Sequence, residues 1–226
     1  MAELVDALAS GASVLRDVEV QVLSRVPIRN YPRGWRKPIS LCLVHLGVMP
    51  HIHTKPGNHD LTTTAFILRR TTKGYVGFLH RHRTLGMLLP AGGHVELSET
   101  PWAGVLHEIA EESGYQPSQL EVLQPTDRIQ VMSGVKTHPV PLFLQTHEFK
   151  SMPGHYHTDI GFAFVTDTLP ERQPHAGESQ DIEWLSNDEM QLRSHEMPDD
   201  IVEIYDFCFH TAVQNWERVA IGQFDA

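Results

Sequence analysis

Alternating apolar and polar positions predict β-strands from the middle of the chain onward. Two runs rich in β-branched and aromatic residues, 62–70 and 75–80, are separated by a short turn and predict a β-hairpin. In a later run, Ile160, Phe162 and Phe164 would share one face of a strand, because successive strand side chains point to opposite faces. This run is predicted to form a strand at residues 158–165. Further strands are predicted at residues 121–123, 128–131, 140–148 and 182–185.

Two segments have instead the three- and four-residue spacing of an amphipathic helix. The first begins at Thr100, whose hydroxyl can cap free N–H groups, has Pro101 at its first helical position and ends at Gly114. The second follows Pro198 and covers residues 199–219. Together these strands and helices predict an α/β fold.

The pattern divides the chain into three parts. Residues 1–57 combine a loose helical stripe over 1–26 with five prolines, which leave room for one short strand at 39–46. This part is predicted to be a helical, proline-containing N-terminal extension. The main domain is expected at residues 58–196, and residues 197–226 are expected to form an amphipathic C-terminal helix that packs on it.

The composition excludes several classes of protein. Of the 226 residues, 41% are hydrophobic and 20% are charged, which is typical of a packed globular protein, and the formal charge of −10 argues against binding along nucleic acid. Cys42 and Cys208 cannot build a disulfide framework, and the N-terminal residues lack the features of a signal peptide. No apolar run approaches the ~18 residues of a membrane span. We therefore expect a soluble cytoplasmic protein with neither a nucleic-acid polymer nor a membrane as its partner.

Acidic residues are concentrated around the first predicted helix. Residues 84–127 contain seven acids and no lysine or arginine. Glu108, Glu111 and Glu112 fall on one side of the helix, where like charges repel one another. A hard divalent cation such as Mg²⁺ would compensate them, and the alternative is a solvated acidic face. Before the helix, the pair Gly92–Gly93 lets the backbone approach a ligand closely, so a carbonyl there can join a metal shell.

Residues 93–115 read GHVELSETPWAGVLHEIAEESGY, which resembles the Nudix box. The box is a glycine, five residues, a glutamate, seven residues, and then Arg-Glu-apolar-any-Glu-Glu-any-Gly-apolar. One position differs, because His107 stands where the family has arginine. The lead-in LGMLLPAGGHVE and the later IEWL followed by Glu189 are also similar to family elements, so the resemblance covers roughly residues 60–195. The matching positions are Gly93, Glu99, Glu108, Ile109, Glu111, Glu112, Gly114 and Tyr115.

The resemblance implies the Nudix fold, a mixed β-sheet sandwiched between α-helices, here with N-terminal and C-terminal helical additions. It also implies hydrolysis of the diphosphate linkage of a nucleoside diphosphate derivative with Mg²⁺, for which Mn²⁺ can substitute. Glu99, His107 and Gly114 would be structural members of the box. The implied metal ligands are the Gly93 carbonyl, Glu108, Glu111 and Glu112, and the catalytic candidates are Glu111, Glu112 and, as general base, Glu178 in the loop before residues 182–185.

Side chains outside the box are further candidates for the site. His155, His157 and Asp159 alternate, so on a strand they share one face and can bind a metal or contact substrate. Arg81 and Arg83 lie shortly before the box and can meet phosphates. The alternatives are histidines that are only hydrogen-bonded and arginines that only solvate a hairpin.

Two other functions stay open at this point. A Nudix-fold module that binds a nucleotide without cleaving it, as a sensor, is favoured by His107, but the three intact glutamates favour an enzyme more, because they repel one another. A Nudix-fold isoprenoid diphosphate isomerase needs a reactive cysteine, and Cys42 and Cys208 lie outside the region of resemblance. The expected partner is a small nucleoside diphosphate derivative, and the terminal additions can form a homodimer interface.

Overall fold

The computed structural model describes residues 57–129, 134–135, 137–149 and 152–224. The N-terminal extension predicted for residues 1–57 lies, except for its last residue, outside the described residues, and so does Cys42. The described residues form the strands β1 (His59–Thr71), β2 (Gly74–Arg81), β3 (Leu88–Leu89), β4 (Ala91–His94), β5 (Glu121–Gln124), β6 (Phe143–Glu148), β7 (Tyr156–Thr166), β8 (Ile182–Leu185) and β9 (Glu217–Ala220).

Four α-helices accompany these strands in the described ranges: α1 (Pro101–Glu108), α2 (Asn187–Leu192), α3 (Asp199–Phe207) and α4 (Val213–Asn215). A π-helical turn follows α1 at Ile109–Ser113, and another connects α3 to α4 at Cys208–Ala212. Short 3-10 turns occur at Pro117–Gln119, Ser194–Glu196 and Ile221–Gln223. Over this described part of the chain, no helix has the length and apolar character needed to cross a membrane.

Strand β1 lies inside one mixed sheet. It pairs in parallel with β7 along nearly its whole length, from His59 opposite Tyr156 to Arg69 opposite Thr166. Its other edge pairs antiparallel with β4 and then with β2, which completes the predicted hairpin. The order is β3-β2-β1-β7-β5-β9, while β6 pairs with β7 and β8 pairs with β2. Strands β5, β7 and β8 lie where the pattern predicts them, and the mixed sheet confirms the predicted α/β fold class.

The two faces of the sheet have separate apolar cores, because neighbouring side chains of β1 point in opposite directions. On one face, Ile67 packs in a cluster with Trp102 and Ile109 of the α1 segment. On the opposite face, Phe66 meets Tyr205 of α3 edge to face, with ring centroids 5.0 Å apart. The sheet therefore lies between helices, as the resemblance implies.

Helix α1 begins and ends as the sequence predicts. The Thr100 hydroxyl accepts a hydrogen bond of 3.1 Å from a backbone N–H of the first turn, and Pro101 occupies the first position. The π turn Ile109–Ser113 extends the helix to Gly114, whose φ of +75° is left-handed. A side chain on Gly114 would also overlap the carbonyl oxygen of Arg172, so both the backbone conformation and the available space require glycine.

The helix predicted over residues 199–219 is wrong in its last part. The helical segment ends at Asn215, and Glu217–Ala220 form β9, which pairs with β5. Arg218 of β9 forms an ion pair of 2.7 Å with Glu121 of β5. Helical spacing could not reveal this pairing, because the two residues are 97 positions apart in the chain.

The strand predicted at residues 128–131 is also wrong in the half that the structure describes. Arg128 and Ile129 follow a turn after β5, and the Arg128 guanidinium is ion-paired with Glu217 instead of lying in a strand ladder. The other half of this prediction falls outside the described residues. The strand predicted at residues 140–148 is shorter than expected, because β6 covers only Phe143–Glu148.

Candidate metal centre and active site

The end of helix α1 brings the box glutamates to strand β4. Glu111 and Glu112 lie in the π turn Ile109–Ser113, and Glu108 directly precedes it. Turns of this kind are frequent at functional sites, because the extra residue redirects the side chains around it. The structure thus places the predicted glutamate ligands beside Gly93 and its neighbour in β4.

Glu108 lies directly against Gly93. A Cβ atom on Gly93 would overlap the Glu108 carboxylate, so the glycine leaves the space that this carboxylate occupies. The pKa of Glu108 is raised to about 7, chiefly by burial and further by Glu111 and Glu178, while His107 opposes the shift.

Glu112 is more deeply buried, with 7% of its surface exposed. Its Oε2 accepts a hydrogen bond of 2.8 Å from the backbone N–H of Gly92, which fixes the carboxylate against β4. Burial raises the pKa of Glu112 to about 9, although this hydrogen bond opposes the shift. Nε2 of His80 lies 3.7 Å from the same oxygen, but burial lowers the pKa of His80 to about 4, so the ring is neutral at pH 7 and does not compensate the charge.

The carboxylates of half-buried Glu108 and buried Glu112 fit a Mg²⁺ site. Within the part of the chain that the structure describes, no lysine or arginine forms an ion pair with Glu108 or Glu112, and both pKa values are raised. A divalent cation would supply the missing positive charge. The donors are carboxylate oxygens, with the backbone of Gly93 beside them, and oxygen donors are the ligands that Mg²⁺ prefers.

His107, which stands at the arginine position of the box, bridges two glutamates. Its Nδ1 lies 3.2 Å from Oε1 of Glu99, and its Nε2 lies 3.2 Å from Oε1 of Glu111. Burial lowers the pKa of His107, but the carboxylates of Glu111, Glu99 and Glu108 together outweigh it, so the pKa is raised. The imidazole therefore connects a structural glutamate to a candidate metal ligand.

A loop that follows β7 docks on the same helix end. The backbone N–H of His175 donates to the Glu111 carbonyl at 2.8 Å, and Nδ1 of His175 lies 3.2 Å from Oε1 of Glu111. This loop carries Glu178, whose N–H donates to the His175 carbonyl at 2.9 Å. The Glu178 carboxylate is close enough to raise the pKa values of both Glu108 and Glu112. The candidate general base therefore lies beside the box.

Arg81 and Arg83, the cations predicted to meet phosphates, are engaged in different ways. The Arg81 guanidinium lies 2.7 Å from Glu196 and 3.4 Å from Glu183, so carboxylates already neutralise it. Nη1 of Arg83 donates to the Gly177 carbonyl at 2.5 Å, in the loop that carries the candidate base. Arg81 also contacts this loop, because its backbone N–H donates to the Asp181 carbonyl at 2.9 Å and its Nε lies 3.4 Å from Oδ2 of Asp181.

His155 and His157 join a second cluster, which the sequence predicts only in part. Nε2 of His155 lies 3.2 Å from Oδ2 of Asp60, and Nε2 of His94 lies 3.4 Å from the same oxygen. The rings of His94 and His157 meet edge to face with centroids 5.1 Å apart. Two strands that flank β1 therefore direct imidazoles toward one buried carboxylate.

Asp159 lies on the same sheet face but has other partners. It accepts hydrogen bonds from the hydroxyls of Thr62 at 3.0 Å and Thr64 at 2.9 Å. Burial raises the pKa of Asp159 although these hydrogen bonds oppose the shift. Together with His94 and His157 it lines a cavity of about 470 Å³ that reaches the glycines of β4. The cavity thus extends from the histidine cluster to Gly92 and Gly93 of β4.

Sequence reasoning missed Asp60, His80, His94 and His175 as members of these sites. His94 directly follows the box glycine, and Asp60 is followed by threonines at alternate positions on β1, so both had a weak signal. His80 alternates with His82, which is an equally weak signal, and for His175 the sequence contains none, because only the tertiary fold brings it to the helix end.

A mixed sheet between helical layers, with a glutamate cluster held at a glycine-rich strand, defines a Nudix-type domain. The family model of the NUDIX domain matches residues 59–206, more than half of the chain. The chain therefore belongs to the Nudix family.

Solved structures of the same fold are similar to this chain. A crystal structure of a NUDIX-family hydrolase from Clostridium perfringens has a TM-score of 0.53 at 25% identity, covering 66% of this chain and 98% of that chain. A NUDIX hydrolase from Nitrosomonas europaea has a TM-score of 0.50 at 14% identity, covering 75% of this chain and 97% of that chain, and shows the fold alone. No curated protein matches this chain.

Proposed function

We propose that this chain is a Mg²⁺-dependent hydrolase that cleaves the diphosphate linkage of a small nucleoside diphosphate derivative. The observation that carries the proposal is the pair of carboxylates of half-buried Glu108 and buried Glu112, which lie against the glycines of β4 with raised pKa values. Membership of the Nudix family and the similarity to the hydrolase from Clostridium perfringens favour this chemistry.

In this proposal, Glu108, Glu111, Glu112 and the Gly93 carbonyl hold Mg²⁺, for which Mn²⁺ can substitute. When bound, the cation would neutralise the diphosphate and stabilise charge on the leaving phosphate. The glutamates come from one helix end, so a single rigid element sets their spacing. The cavity that reaches the glycines of β4 is the proposed place for the rest of the substrate.

Glu178 is the proposed general base. Its carboxylate would take a proton from the water that attacks a phosphorus atom, while the bridging P–O bond breaks and the leaving phosphate keeps the electron pair. The docking of His175 on Glu111 holds the Glu178 loop against the box. Glu111 and Glu112 act through the cation that they hold, and His107 positions Glu111 from the other side.

The experiment is a substrate panel with Mg²⁺. Release of phosphate or nucleotide is measured from nucleoside diphosphate sugars, ADP-ribose, dinucleoside polyphosphates and nucleoside triphosphates. We expect turnover of at least one class, and a loss of about 100-fold or more in Glu112→Gln, because the neutral amide lacks the negative charge with which the carboxylate holds the cation.

The matched control is Glu203→Gln, which changes an exposed glutamate of helix α3 and should retain full activity. Nucleotide binding without Mg²⁺-dependent turnover across the panel would contradict the proposal and favour the sensor module. The cytoplasmic location, the homodimer, and the absence of nucleic-acid and membrane partners stay predictions.

A further inference from the structure

The sheet register brings three donor side chains to one place beside the box. Asp60 of β1 is directly opposite His157 of β7 in the parallel pair. On the other edge of β1, His94 of β4 is opposite Thr62, two residues from Asp60 and therefore on the same face. Asp60 thus has one histidine on each side in the plane of the sheet.

The donor atoms of this trio lie close together. One ligand atom each from Asp60, His94 and His157 lies within 4.8 Å of the others, and the Asp60 Oδ2 to His94 Nε2 distance is 3.4 Å. Hydrogen bonds between charged imidazole and carboxylate are shorter, at about 2.7–2.9 Å. Two donors bound at ~2.0–2.2 Å to one tetrahedral ion lie about 3.3–3.6 Å apart. The observed distance therefore fits two ligands of one ion better than a charged hydrogen bond.

Burial and access also suit a bound ion. Asp60 is 0% exposed and His157 is 5% exposed, so water screens the carboxylate little. His94 and His157 line the cavity of about 470 Å³ described above, which gives an ion a route to the site and leaves room for a further ligand.

We propose that Asp60, His94 and His157 form a second cation site, which takes a divalent transition metal of the Zn²⁺ class. Two imidazole nitrogens and one carboxylate oxygen suit such metals, whereas Mg²⁺ prefers oxygen donors alone. Three protein ligands leave a coordination position open toward the cavity, where an oxygen atom of a bound small molecule can complete the shell. This site does not depend on the hydrolase activity proposed above.

His155 supports the site without belonging to the trio. Its Nε2 lies 3.2 Å from Oδ2 of Asp60, and the side chain is fully buried. Groups that hold a metal ligand in place tune the affinity, and losing one weakens binding by about 10–100-fold. We therefore expect His155→Gln to weaken Zn²⁺ binding about 10-fold and leave it measurable.

The test is a metal titration of the chelator-treated full chain, without a histidine tag, in excess Mg²⁺. By calorimetry we expect one equivalent of Zn²⁺ to bind the wild type, and His157→Gln and Asp60→Asn to bind it at least about 100-fold more weakly. Two variants should bind like the wild type: His147→Gln, whose exposed ring lies 5.6 Å from that of His157 but adds no donor to the trio, and Glu112→Gln in the box.

Circular dichroism verifies that each variant is folded. No Zn²⁺ binding by the wild type in excess Mg²⁺, or equal binding by folded His157→Gln and Asp60→Asn, would overturn the proposal. Where these variants fail to fold, the visible spectrum of wild-type Co²⁺ protein decides. Intense bands of four- or five-coordinate Co²⁺ with nitrogen ligands support the site, and weak bands of six-coordinate Co²⁺ with oxygen ligands alone overturn it.

Discussion

Two clusters of possible metal ligands lie on opposite faces of strand β4. On the side of helix α1, Gly93 meets the carboxylate of Glu108. On the other side, the next residue, His94, faces Asp60 together with His157. The first cluster offers oxygen donors and the second offers mainly nitrogen, so adjacent residues of one strand face environments suited to different cations.

The clusters also differ in what holds their donors. The box carboxylates come from a helix end, and that of Glu108 reaches β4 only because Gly93 leaves room for it. The donors of the second cluster come from three paired strands, so hydrogen-bonded register sets their spacing. A change that fills space at Gly93 should therefore damage the box and spare the histidine cluster.

Gly93→Ala tests this difference with the largest expected effect. The new Cβ overlaps the end of a flexible side chain, so the Glu108 carboxylate can move away and the fold survives. We expect Mg²⁺-dependent turnover to fall about 100-fold or more, while the free energy of unfolding stays within about 1 kcal/mol of the wild type. Zn²⁺ binding to the trio should be unchanged by calorimetry.

Gly104→Ala is the matched control on helix α1. A Cβ there would have ordinary contacts, the nearest at 3.4 Å from Val95, so activity should persist and stability should be unchanged or rise by up to about 1 kcal/mol. Full Mg²⁺-dependent turnover by Gly93→Ala would show that catalysis does not require the Glu108 carboxylate to lie against residue 93.

Substitution of His107 has the next largest expected effect on activity. This residue contacts glutamates of the box and is not part of the histidine cluster. Without its contacts to Glu99 and Glu111, His107→Ala should lose about 10–100-fold in kcat. His107→Arg should maintain or raise the activity, since a guanidinium can reach both carboxylates. Steady-state kinetics across a Mg²⁺ series measure both effects.

His210→Ala is the control for this test. His210 forms an exposed i,i+4 pair of 3.1 Å with Asp206, the same kind of helical contact as that of His107 with Glu111. Its loss should leave kcat unchanged. If His107→Ala is as active as His210→Ala at every Mg²⁺ concentration, the bridge is only a helix-surface contact.

Sequence predicts the box cluster better than the second cluster, for a physical reason. The cap at Thr100, the end at Gly114 and the order of the glutamates are local, because a helix fixes its own side-chain spacing. The meeting of Asp60 with His157 depends on the parallel pairing of β1 with β7, and alternation shows only which side chains share a face.

The same limit explains the errors elsewhere. The segment after Asn215 has apolar spacing compatible with a helix, but its pairing with β5 makes it a strand. His175 reaches Glu111 through a loop whose path local residues do not encode. The helix end was therefore predictable, and the groups that dock on it from distant segments were not.

A third set of carboxylates, Glu183 and Glu196, is paired with arginines and gives the smallest expected effect, which is on the pH dependence of stability. Hydrogen bonds from Arg193 and Arg81 lower the pKa of Glu196 from its ordinary value of 4.5 to about 2, and a hydrogen bond from Arg193 also lowers the pKa of Glu183. These shifts are opposite to those of the box glutamates, because arginine supplies here the positive charge that the box lacks.

A carboxylate whose pKa is lower in the folded state stabilises the protein above its unfolded pKa and loses that contribution on acidification. The melting temperature of the wild type should therefore fall more steeply than that of Glu196→Gln as the pH decreases from 4.5 toward 2. Thermal unfolding followed by circular dichroism measures both curves, with Glu171→Gln, an exposed loop glutamate, as the control that follows the wild type.

The difference between the two curves should be small, because the ion pairs of Glu196 are partly exposed to solvent and screened. Parallel curves for the wild type and Glu196→Gln would mean that the arginines do not stabilise the ionised glutamate in solution, and the contrast with the box would then rest on burial alone.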